Sequence, residues 1–364
     1  MEWKEDVLGN VLEVKYGKDH KKLADGQYPV YGSGGLMRYV DSKLYDGPSI
    51  LIPRKGTLNN IMFVESPFWT VDTMFWSIIN TDKVDPKFLF YSICKRDFAS
   101  MNVGSAVPSM TVNILNDIQI SYPKNIEDQR RIASILSSLD RKIELNNKIN
   151  ADLEEMAQAI FKNWFVDFEP FKDGKFVDSE LGMIPEGWKV GTLDEIFSLK
   201  YGKNLSTSMI LEKGDYPVYG ANGIIGYYNE FNCDKYSVLV TSRGNGSGDV
   251  SRTHHPKSFI TNNSFVVEPL EHYKYIKLPF INGLFNIIDF KSYCSGSAQP
   301  QLTNKAMRNI CIISPPRELV IKYCEILKTL FSHIECVIDE NSRLSLLRDT
   351  LLPRLMSGEL EVPE

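Results

Sequence analysis

The sequence contains the same short motif twice, separated by about half of its length. YPVYG occupies residues 28–32 and returns at residues 216–220, so the register between the copies is 216 − 28 = 188. Three further motifs recur in the same order with small drifts of register: KYGK at 15–18 and 200–203, SILI with Gly56 and SVLV with Gly244, and GSA at 104–106 and 296–298. Solenoid repeats are much shorter, roughly 20 to 50 residues. The pattern therefore predicts two homologous domains, as expected of a protein that addresses two copies of something.

Length and composition are those of an ordinary globular protein. The 364 residues allow two or three domains with their own cores, and apolar and charged residues make up 43% and 24% of the chain. The chain contains no apolar run of about 18 residues, and its first residues, MEWKEDVLGN, lack the basic and apolar regions of a signal peptide. We therefore expect a soluble, cytoplasmic protein with no membrane segment.

Cysteines and charge limit the classes of function. The six cysteines form no CxxC pair and share no positions between the repeats, which argues against a disulfide framework or a zinc site. We expect reduced, mostly buried thiols. The net charge of −5 argues mildly against nucleic acid, because DNA-binding domains usually have a basic face. Charge can be segregated along a chain, however, and basic residues crowd the first repeat: Lys15, Lys18, Lys21, Lys22, Arg54 and Lys55.

Two globular segments alternate with two helical ones. Residues 1–124 and 189–314 contain short β-type runs broken by turn residues. Residues 125–168 have no Gly or Pro after position 125 and predict one long helix, and residues 315–364 predict a second. Residues 169–188 form a polar, Gly- and Pro-bearing linker. This order predicts a mixed α/β (α+β) fold, with two homologous domains separated by two long antiparallel coiled-coil helices in a pseudo-two-fold arrangement.

Each helix carries a heptad seam, here meaning the apolar positions that alternate in steps of four and three. The seam comprises Ile132, Leu136, Leu139, Ile143, Asn146, Asn150, Leu153, Ala157, Ile160 and Trp164 in the first helix, and Tyr323, Leu327, Leu330, Ile334, Val337, Asn341, Leu344, Arg348 and Leu351 in the second. Asn150 and Asn341 occupy equivalent positions, where asparagine costs stability but fixes register. An antiparallel pair would place the globular segments at opposite ends of a rod of roughly 45 to 60 Å. The seam predicts a spacer of defined length.

The sequence shows no catalytic motif. It contains no G-x-x-x-x-G-K-[ST], H-E-x-x-H or G-x-S-x-G motif, and no acidic pair recurs in both repeats. His254 and His255 are adjacent, a spacing that rarely chelates one metal ion. The absence of repeated chemistry indicates recognition, with no catalytic residue and no metal site in this chain.

What recurs is loop material suited to a polyanion. In the 188 register, Pro53–Thr57 aligns with Thr241–Asn245, each directly after a short apolar run. A basic residue beside glycine lets a cation and the backbone approach a phosphate or base edge together, and Arg, Lys, Asn and Gln read bases in the major groove. The candidate DNA contacts are Lys18, Ser33, Arg54, Lys55, Thr57, Ser105 and Ser109 in the first repeat, and Lys203, Asn222, Ser242, Arg243, Asn245, Ser247, Ser297, Gln299 and Gln301 in the second. Alternatively, the glycines serve only tight turns and the polar residues are merely solvated.

The arrangement resembles the specificity subunit of a type I restriction-modification system over essentially the whole chain. The most specific likenesses are FKNWFVDF at 161–168, GMIPEGW at 182–188 and LRDTLLPRLMSGEL at 347–360. In that family the segments end the central helix, start the second recognition domain and form a C-terminal signature. Relative to this pattern, no helix precedes MEWKEDVLGN and the chain ends soon after the signature, so we expect the shortest spacer that the fold permits.

The resemblance implies that each globular segment reads one half of a bipartite, interrupted target in double-stranded DNA. It also implies partners: two methyltransferase subunits that bring S-adenosylmethionine and, where cleavage occurs, restriction (translocase) subunits that use ATP and Mg, with no cofactor on this chain. We expect weak, salt-sensitive DNA binding by the isolated chain and tight binding in the complex. The alternative is a freestanding bivalent coiled-coil scaffold for proteins or glycans.

Overall fold

Short strands broken by glycine, proline and asparagine turns account for most of the first 124 residues. In this computed structural model, which describes residues 1–102, 108–296 and 299–362, these strands precede one long helix. The elements in order are β1 (Trp3–Val7), β2 (Leu12–Tyr16), β3 (Tyr28–Gly32), β4 (Gly35–Val40), β5 (Ser49–Pro53), β6 (Met62–Val64), β7 (Trp69–Thr70), β8 (Met74–Ile79), α1 (Pro86–Ile93), α2 (Val112–Asn116), β9 (Gln119–Pro123) and α3 (Ile126–Phe165).

The rest of the chain repeats this series after a small hairpin. Its elements are β10 (Phe176–Val177), β11 (Ile184–Pro185), β12 (Lys189–Thr192), α4 (Leu193–Ile196), β13 (Phe197–Tyr201), β14 (Tyr216–Gly220), β15 (Gly223–Tyr228), β16 (Val238–Thr241), β17 (Val250–Arg252), β18 (Phe259–Ile260), β19 (Ser264–Pro269), α5 (Leu278–Ile287), α6 (Asn304–Arg308), β20 (Cys311–Ser314) and α7 (Arg317–Met356). Single 3₁₀ turns lie at Leu8–Asn10, Glu169–Phe171, Thr207–Met209, Glu271–Tyr273 and Phe290–Tyr293.

The two series have the same sheet topology. The sheets β1-β9, β2-β8-β5-β6 and β4-β3-β7 recur as β12-β20, β13-β19-β16-β17 and β15-β14-β18. Each three-stranded sheet contains one parallel pair, β3 with β7 and β14 with β18, and a β-bulge in the hairpin that follows the YPVYG strand. The mixed α/β fold with a duplicated domain, predicted from the recurring motifs, is confirmed.

The chain divides into two compact units that cut each long helix in its middle. Unit 1 consists of residues 1–145 and 341–364, and unit 2 of residues 146–340. Each unit therefore contains one set of sheets, one half of α3 and one half of α7. The boundaries of the sequence-predicted domains, at 124, 168, 188 and 314, remain predictions. They separate the helices from the sheets, whereas the two compact units divide each long helix between them.

The core of unit 1 forms where the sheets meet both helix halves. All five residues of β5 are buried. Asp85 caps the N-terminus of α1, where its Oδ1 accepts a hydrogen bond of 2.9 Å from Phe88 N. Ile132 and Leu136 of α3 belong to the same apolar cluster as Leu352 and Leu355 of α7. Since the early part of α3 lies with the late part of α7, the two helices are antiparallel within this unit.

Unit 2 has a more aromatic core. The ring centroids of Phe161 and Phe165 lie 5.8 and 5.0 Å from that of Tyr323, which belongs to the first turns of α7. The late part of α3 therefore lies with the early part of α7, so the antiparallel orientation holds here as well. Trp188 packs on Phe165 at 5.9 Å, so the segment predicted as a linker ends inside this core.

The long helices are shorter than the sequence pattern predicts, 126–165 and 317–356 in place of 125–168 and 315–364. The first ends early because Phe168 has a φ of +55° and turns its ring onto Trp188, at a centroid distance of 5.3 Å. Burial of this aromatic contact outweighs continuation of an otherwise uninterrupted helical pattern.

No described helix is long and apolar enough to cross a membrane. The expectation of mostly buried thiols is wrong: Cys233 and Cys324 are buried, Cys94 and Cys294 are half-buried, and Cys311 and Cys336 are exposed.

Candidate DNA interface

The loops after β5 and β16 have the same backbone geometry in both units. In unit 1, Lys55 forms an isolated antiparallel bridge with Ser109, and Met110 N donates a 2.9 Å hydrogen bond to Arg54 O. In unit 2, Arg243 forms the same bridge with Gln301, and Leu302 N donates a 2.9 Å hydrogen bond to Ser242 O. Residues 54–57 and 242–245, here called the basic loops, are thus each joined to a second polar loop.

A glycine completes each basic loop. Gly56 and Gly244 have φ angles of +87° and +89°, a region that favours glycine because other residues pay a steric cost there. Their N–H groups donate hydrogen bonds to Pro108 O (3.4 Å) and Pro300 O (3.2 Å). These glycines therefore do serve turns, as the structural alternative held, and the turns present the preceding Lys55 and Arg243 to solvent.

A second pair of basic residues lies close to these loops. Lys18 N donates to Thr70 O, and Lys203 N donates to Ile260 O, each at 2.9 Å. Thr73 O, in the turn that follows Thr70, accepts a 2.8 Å hydrogen bond from Arg54 N. Both lysine side chains are exposed, so each unit gathers cations from separate parts of its sequence.

The hairpins after the YPVYG strands border the basic loops. In unit 1, Asn60 Nδ2 donates a 2.9 Å hydrogen bond to Ser33 O at the hairpin turn. In unit 2, Thr241 Oγ1 donates a 2.9 Å hydrogen bond to Ala221 O, beside exposed Asn222. Ser33 and Asn222 therefore lie next to the basic loops, at neighbouring positions of the two hairpin turns, since Ser33 aligns with Ala221 (33 + 188 = 221).

The candidate side chains differ in accessibility. Lys55, Thr57, Arg243, Asn245 and Gln299 are exposed, while Ser33, Arg54, Ser109 and Gln301 are half-buried. Ser105 and Ser297 lie outside the described residues. The exposed and half-buried members could all reach a ligand at the surface.

Two candidates need correction. Ser242 and Ser247 are 0% and 3% exposed, and their hydroxyls donate to Asn262 O (3.3 Å) and Pro300 O (2.6 Å). The sequence predicts that a small polar residue in a glycine-rich loop faces solvent. In the folded protein, however, both hydroxyls donate hydrogen bonds to backbone carbonyls. We therefore assign these serines to the support of the second basic loop, not to DNA contact.

Two tyrosines that we did not predict adjoin the cations. Tyr16 and Tyr201 are 56% and 40% exposed and precede the Gly-Lys of the KYGK motifs. The Arg54 guanidinium lies 5.5 Å from the centroid of the Tyr16 ring, a cation–π distance. Their recurrence in both KYGK motifs was a usable signal, because an aromatic face beside cations suits a sugar or base.

The last tyrosine of the YPVYG motif has a structural role. Tyr219 is 2% exposed, and burial raises its pKa to about 12 although its hydroxyl oxygen accepts a 2.8 Å hydrogen bond from His254 N. Burial likewise raises the pKa of Tyr31, its counterpart in unit 1. Both phenols stay neutral, and Tyr219 is a core residue whose strand positions the hairpin.

The spacer residues lie along the helices with graded burial. Ile334 is fully buried, and the other candidates are half-buried: Leu139, Ile143, Asn150, Leu153, Leu330, Asn341 and Leu344. The most buried polar seam residue is instead Asn146, which is 0% exposed and whose Nδ2 donates a 2.8 Å hydrogen bond to Glu340 Oε2 within unit 2. The heptad spacing pointed to Asn146, but only the packing singles it out.

The arrangement offers cations without ion-pair partners on loops that are held by backbone hydrogen bonds. Neither Lys55 nor Arg243 forms an ion pair with another described residue, whereas nearby Asp249 is paired with Lys291 at 2.7 Å. Among the described residues, no group of three or more His, Cys, Asp or Glu side chains could hold a metal ion. Unpaired cations beside backbone turns are suited to phosphate and base contacts.

Comparison with known proteins gives a consistent result. Residues 1–155 and 185–344 match the family described as the type I restriction modification DNA specificity domain. The MjaIX type I specificity subunit of Methanocaldococcus jannaschii is 28% identical over 380 residues, covering 94% of this chain and 86% of that protein. The HindI specificity subunit of Haemophilus influenzae is 25% identical, covering 82% and 83%.

A solved structure supports the fold. The crystal structure of a type I restriction-modification S subunit from M. genitalium aligns with a TM-score of 0.57 at 21% identity, over 97% of this chain and 96% of that one. Because the family matches both sheet-bearing regions and most of the sequence, the chain belongs to the DNA specificity subunits of type I restriction-modification systems.

Proposed function

We propose that each unit reads one half of a bipartite, interrupted DNA target through its basic loop and the polar loop bridged to it. Unit 1 uses Lys18, Arg54, Lys55 and Ser109, and unit 2 uses the corresponding loops around Arg243 and Gln301. The long helices set the separation between the half-sites. The chain recognises DNA and does not itself catalyse a reaction.

One observation carries the proposal: the Lys55–Ser109 bridge recurs as the Arg243–Gln301 bridge. The backbone positions are the same, while the side chains that face solvent differ. Two different half-sites require a duplicated backbone that carries different exposed side chains. Side-chain contacts discriminate between bases, whereas phosphates are bound by charge whatever the sequence.

The partners follow from membership in the family. We expect two methyltransferase subunits that carry S-adenosylmethionine and, for cleavage, restriction subunits that use ATP and Mg, all in the cytoplasm. Their basic surface would supply part of the phosphate attraction, which dominates nonspecific affinity. That contribution accounts for a DNA-reading chain whose own net charge is −5. The scaffold alternative finds no support among the similar proteins.

The first test is a map of adenine methylation by long-read sequencing. Cells express the chain with and without its methyltransferase subunit, and a split motif should appear only when both are present. Exchange of residues 1–124 for those of another specificity subunit should change one half of the motif alone. No new motif, with a methyltransferase that is active beside another specificity subunit, would favour the scaffold.

A second test addresses the basic loops. Lys55→Ala and Arg243→Ala in the complex should each cost roughly 1 to 3 kcal/mol if the residue reads a base, and relax one half-site only. If either residue contacts phosphate instead, binding should weaken for all sequences. The slope of log affinity against log salt concentration should then decrease in magnitude by about one. Lys175→Ala, an exposed lysine in the segment between α3 and β11, is the matched control.

A further inference from the structure

Both units expose two consecutive aliphatic side chains on the strand after the YPVYG turn. Leu36 and Met37 on β4 are 52% and 56% exposed, and Ile224 and Ile225 on β15 are 43% and 46% exposed. Their positions agree in the 188 register (36 + 188 = 224). We call each of these an aliphatic pair. Single exposed aliphatic residues are common, but a recurring pair on the same strand is not explained by chance exposure.

The exposure follows from a β-bulge at the same place in both hairpins. Tyr31 pairs with Leu36 and Val30 with Arg38, so Met37 has no ladder partner. Tyr219 pairs with Ile224 and Val218 with Gly226, which leaves Ile225 unpaired. In a regular strand neighbouring side chains point to opposite faces, whereas a bulge re-aims one of them. The bulge therefore lets both members of each pair reach the surface.

A glycine opposite the bulge makes room for the second member. A Cβ on Gly32 would lie 2.6 Å from Met37 Sδ, and one on Gly220 would lie 2.8 Å from Ile225 Cγ2. The same glycine in both copies thus lets the aliphatic chain lie over the backbone. The aliphatic pair is held in place and is not a loose surface residue.

Each aliphatic pair adjoins the candidate DNA interface. The hairpin turn before Leu36 contains Ser33, whose carbonyl accepts from Asn60 and whose Oγ would lie 3.0 Å from a Cβ on Gly56 of the basic loop. In unit 2, Asn222 Oδ1 would lie 3.0 Å from a Cβ on Gly246, directly after the second basic loop. In each unit, the hairpin that carries the aliphatic pair therefore lies beside the basic loop.

We propose that the two aliphatic pairs contact the DNA duplex as apolar wedges against base edges or an opened base step. The proposal rests on the proposed function, because the basic loops bring the polyanion to this surface. Leu, Ile and Met are side chains that insert at base steps or pack on thymine methyl groups. A protein partner would be duplicated as well, but unpaired cations beside both wedges favour a polyanion.

The test uses the full chain co-purified with its methyltransferase subunit and a duplex that carries the mapped methylation motif. Leu36→Ser/Met37→Ser should weaken binding roughly 10- to 100-fold, since two half-exposed aliphatic side chains lose a buried contact. The slope of affinity against salt should stay unchanged, because no charge is removed. Ile224→Ser/Ile225→Ser should relax the other half of the motif.

The matched control is Leu181→Ser/Met183→Ser, with the same side chains at 44% and 56% exposure in a segment that has no counterpart in the other repeat. If Lys55→Ala weakens binding while Leu36→Ser/Met37→Ser equals this control, the wedge is refuted and the proposed function stands. If neither variant has any effect, the proposed function fails at this surface. Loss of the methyltransferase from the purified complex, with unchanged affinity of intact complexes, would identify a protein interface and overturn the wedge.

Discussion

The two units share their sheets but hold the long helices with different side chains. In unit 1, Arg348 Nη1 of α7 donates a 2.8 Å hydrogen bond to Asp140 Oδ1 of α3, and Tyr91 OH of α1 donates one of 2.5 Å to Asp140 Oδ2. Burial and this bond to Asp140 both raise the pKa of Tyr91, which therefore remains a donor. The anchor of unit 1 is a polar network that joins three helices.

Unit 2 anchors an edge strand of its sheet by a buried cation. Arg252 of β17 is 5% exposed, its Nη2 lies 2.9 Å from Glu154 Oε1 of α3, and its guanidinium lies 5.5 Å from the ring centroid of Phe331 of α7. The corresponding residue of unit 1 is Phe63, because Ile50 pairs with Phe63 as Val238 pairs with Arg252. A cation in one unit takes the place of an aromatic ring in the other.

Recognition and anchoring are constrained in different ways. The basic loops keep the same backbone hydrogen bonds in both units, although their side chains differ. The anchors keep neither residue type nor partner, although the sheets that they hold are the same. Packing can be solved in several ways at one position, whereas a loop that presents a cation depends on its backbone geometry.

Loss of the anchor of unit 2 should reduce stability more than any other change considered below. Arg252→Ala should destabilise unit 2 by about 2 to 3 kcal/mol, because it leaves a cavity beside Phe331 and removes the partner of a half-exposed carboxylate. Hydrogen exchange of the β16–β17 peptides should rise, while peptides of β5 and β6 stay protected. Arg308→Ala, an exposed arginine of the same unit, should change nothing.

A swap tests whether the two anchors are equivalent solutions. Arg252→Phe gives unit 2 the residue of unit 1 and should lose less stability than Arg252→Ala, because an aromatic ring refills the apolar site. A loss equal to that of alanine would show that the cation itself is required and that the comparison with Phe63 is misleading.

A smaller loss of stability is expected when a methyl group is added to the glycine of either basic loop. Gly56→Ala and Gly244→Ala should each cost about 1 to 2 kcal/mol for a left-handed backbone. Gly56→Ala should cost more, since its Cβ would lie 3.0 Å from Ser33 Oγ, whereas a Cβ on Gly244 meets nothing within 4 Å. Urea unfolding measures both, with Gly34→Ala as the control because its Cβ also meets nothing and its φ is not positive. Equal losses would remove the distinction between the two loops.

A smaller effect is expected from the anchor of unit 1. Arg348→Ala should cost about 1 kcal/mol, because Arg348 and Asp140 are 24% and 36% exposed and solvent weakens their attraction. A double-mutant cycle with Asp140→Asn isolates the pair, and exposed Arg343→Ala is the matched control. Alanine is also the residue at the equivalent seam position of the first helix, Ala157 (348 − 191 = 157). A coupling energy near zero would show that Tyr91 alone holds Asp140.

The sequence reveals the features that depend on the backbone, and it misses those that depend on packing. Recurring YPVYG, SILI and SVLV runs predict the duplicated sheets, and a glycine after a basic residue predicts the basic loops. Ser242 and Ser247 could not be placed, since their burial depends on Asn262 and Pro300 closing over them.

The anchors were invisible in the sequence for the same reason. Arg252 reads as an ordinary surface cation between two hydroxyl residues, and only its pairing across β16 places it between α3 and α7. Arg348 did stand out as the one charged residue in the heptad seam, but its partner, Asp140, is 208 residues away in sequence.

The two units should also differ slightly in their stability to acid. Burial, and then the charge of Arg252, lower the pKa of His254, while burial lowers that of His255 against the opposing charge of Asp339. A histidine whose pKa is lower in the folded state binds fewer protons there than in the unfolded chain. Its contribution is therefore intact above the unfolded pKa of about 6.5 and is lost as the pH falls below it.

Unit 2 should accordingly lose stability between pH 7.5 and 5.5, and His254→Asn/His255→Asn should reduce the loss. Hydrogen exchange at both pH values, corrected for intrinsic rates, separates unit 2 from unit 1, whose single histidine, His20, supplies the control His20→Asn. Because Arg252 contributes to the lowered pKa of His254, Arg252→Phe should also flatten the pH dependence of unit 2. If the pH dependence survived in both variants, the acid response would belong to carboxylates or to His272 and His333, and the His254–His255 pair would not distinguish the units.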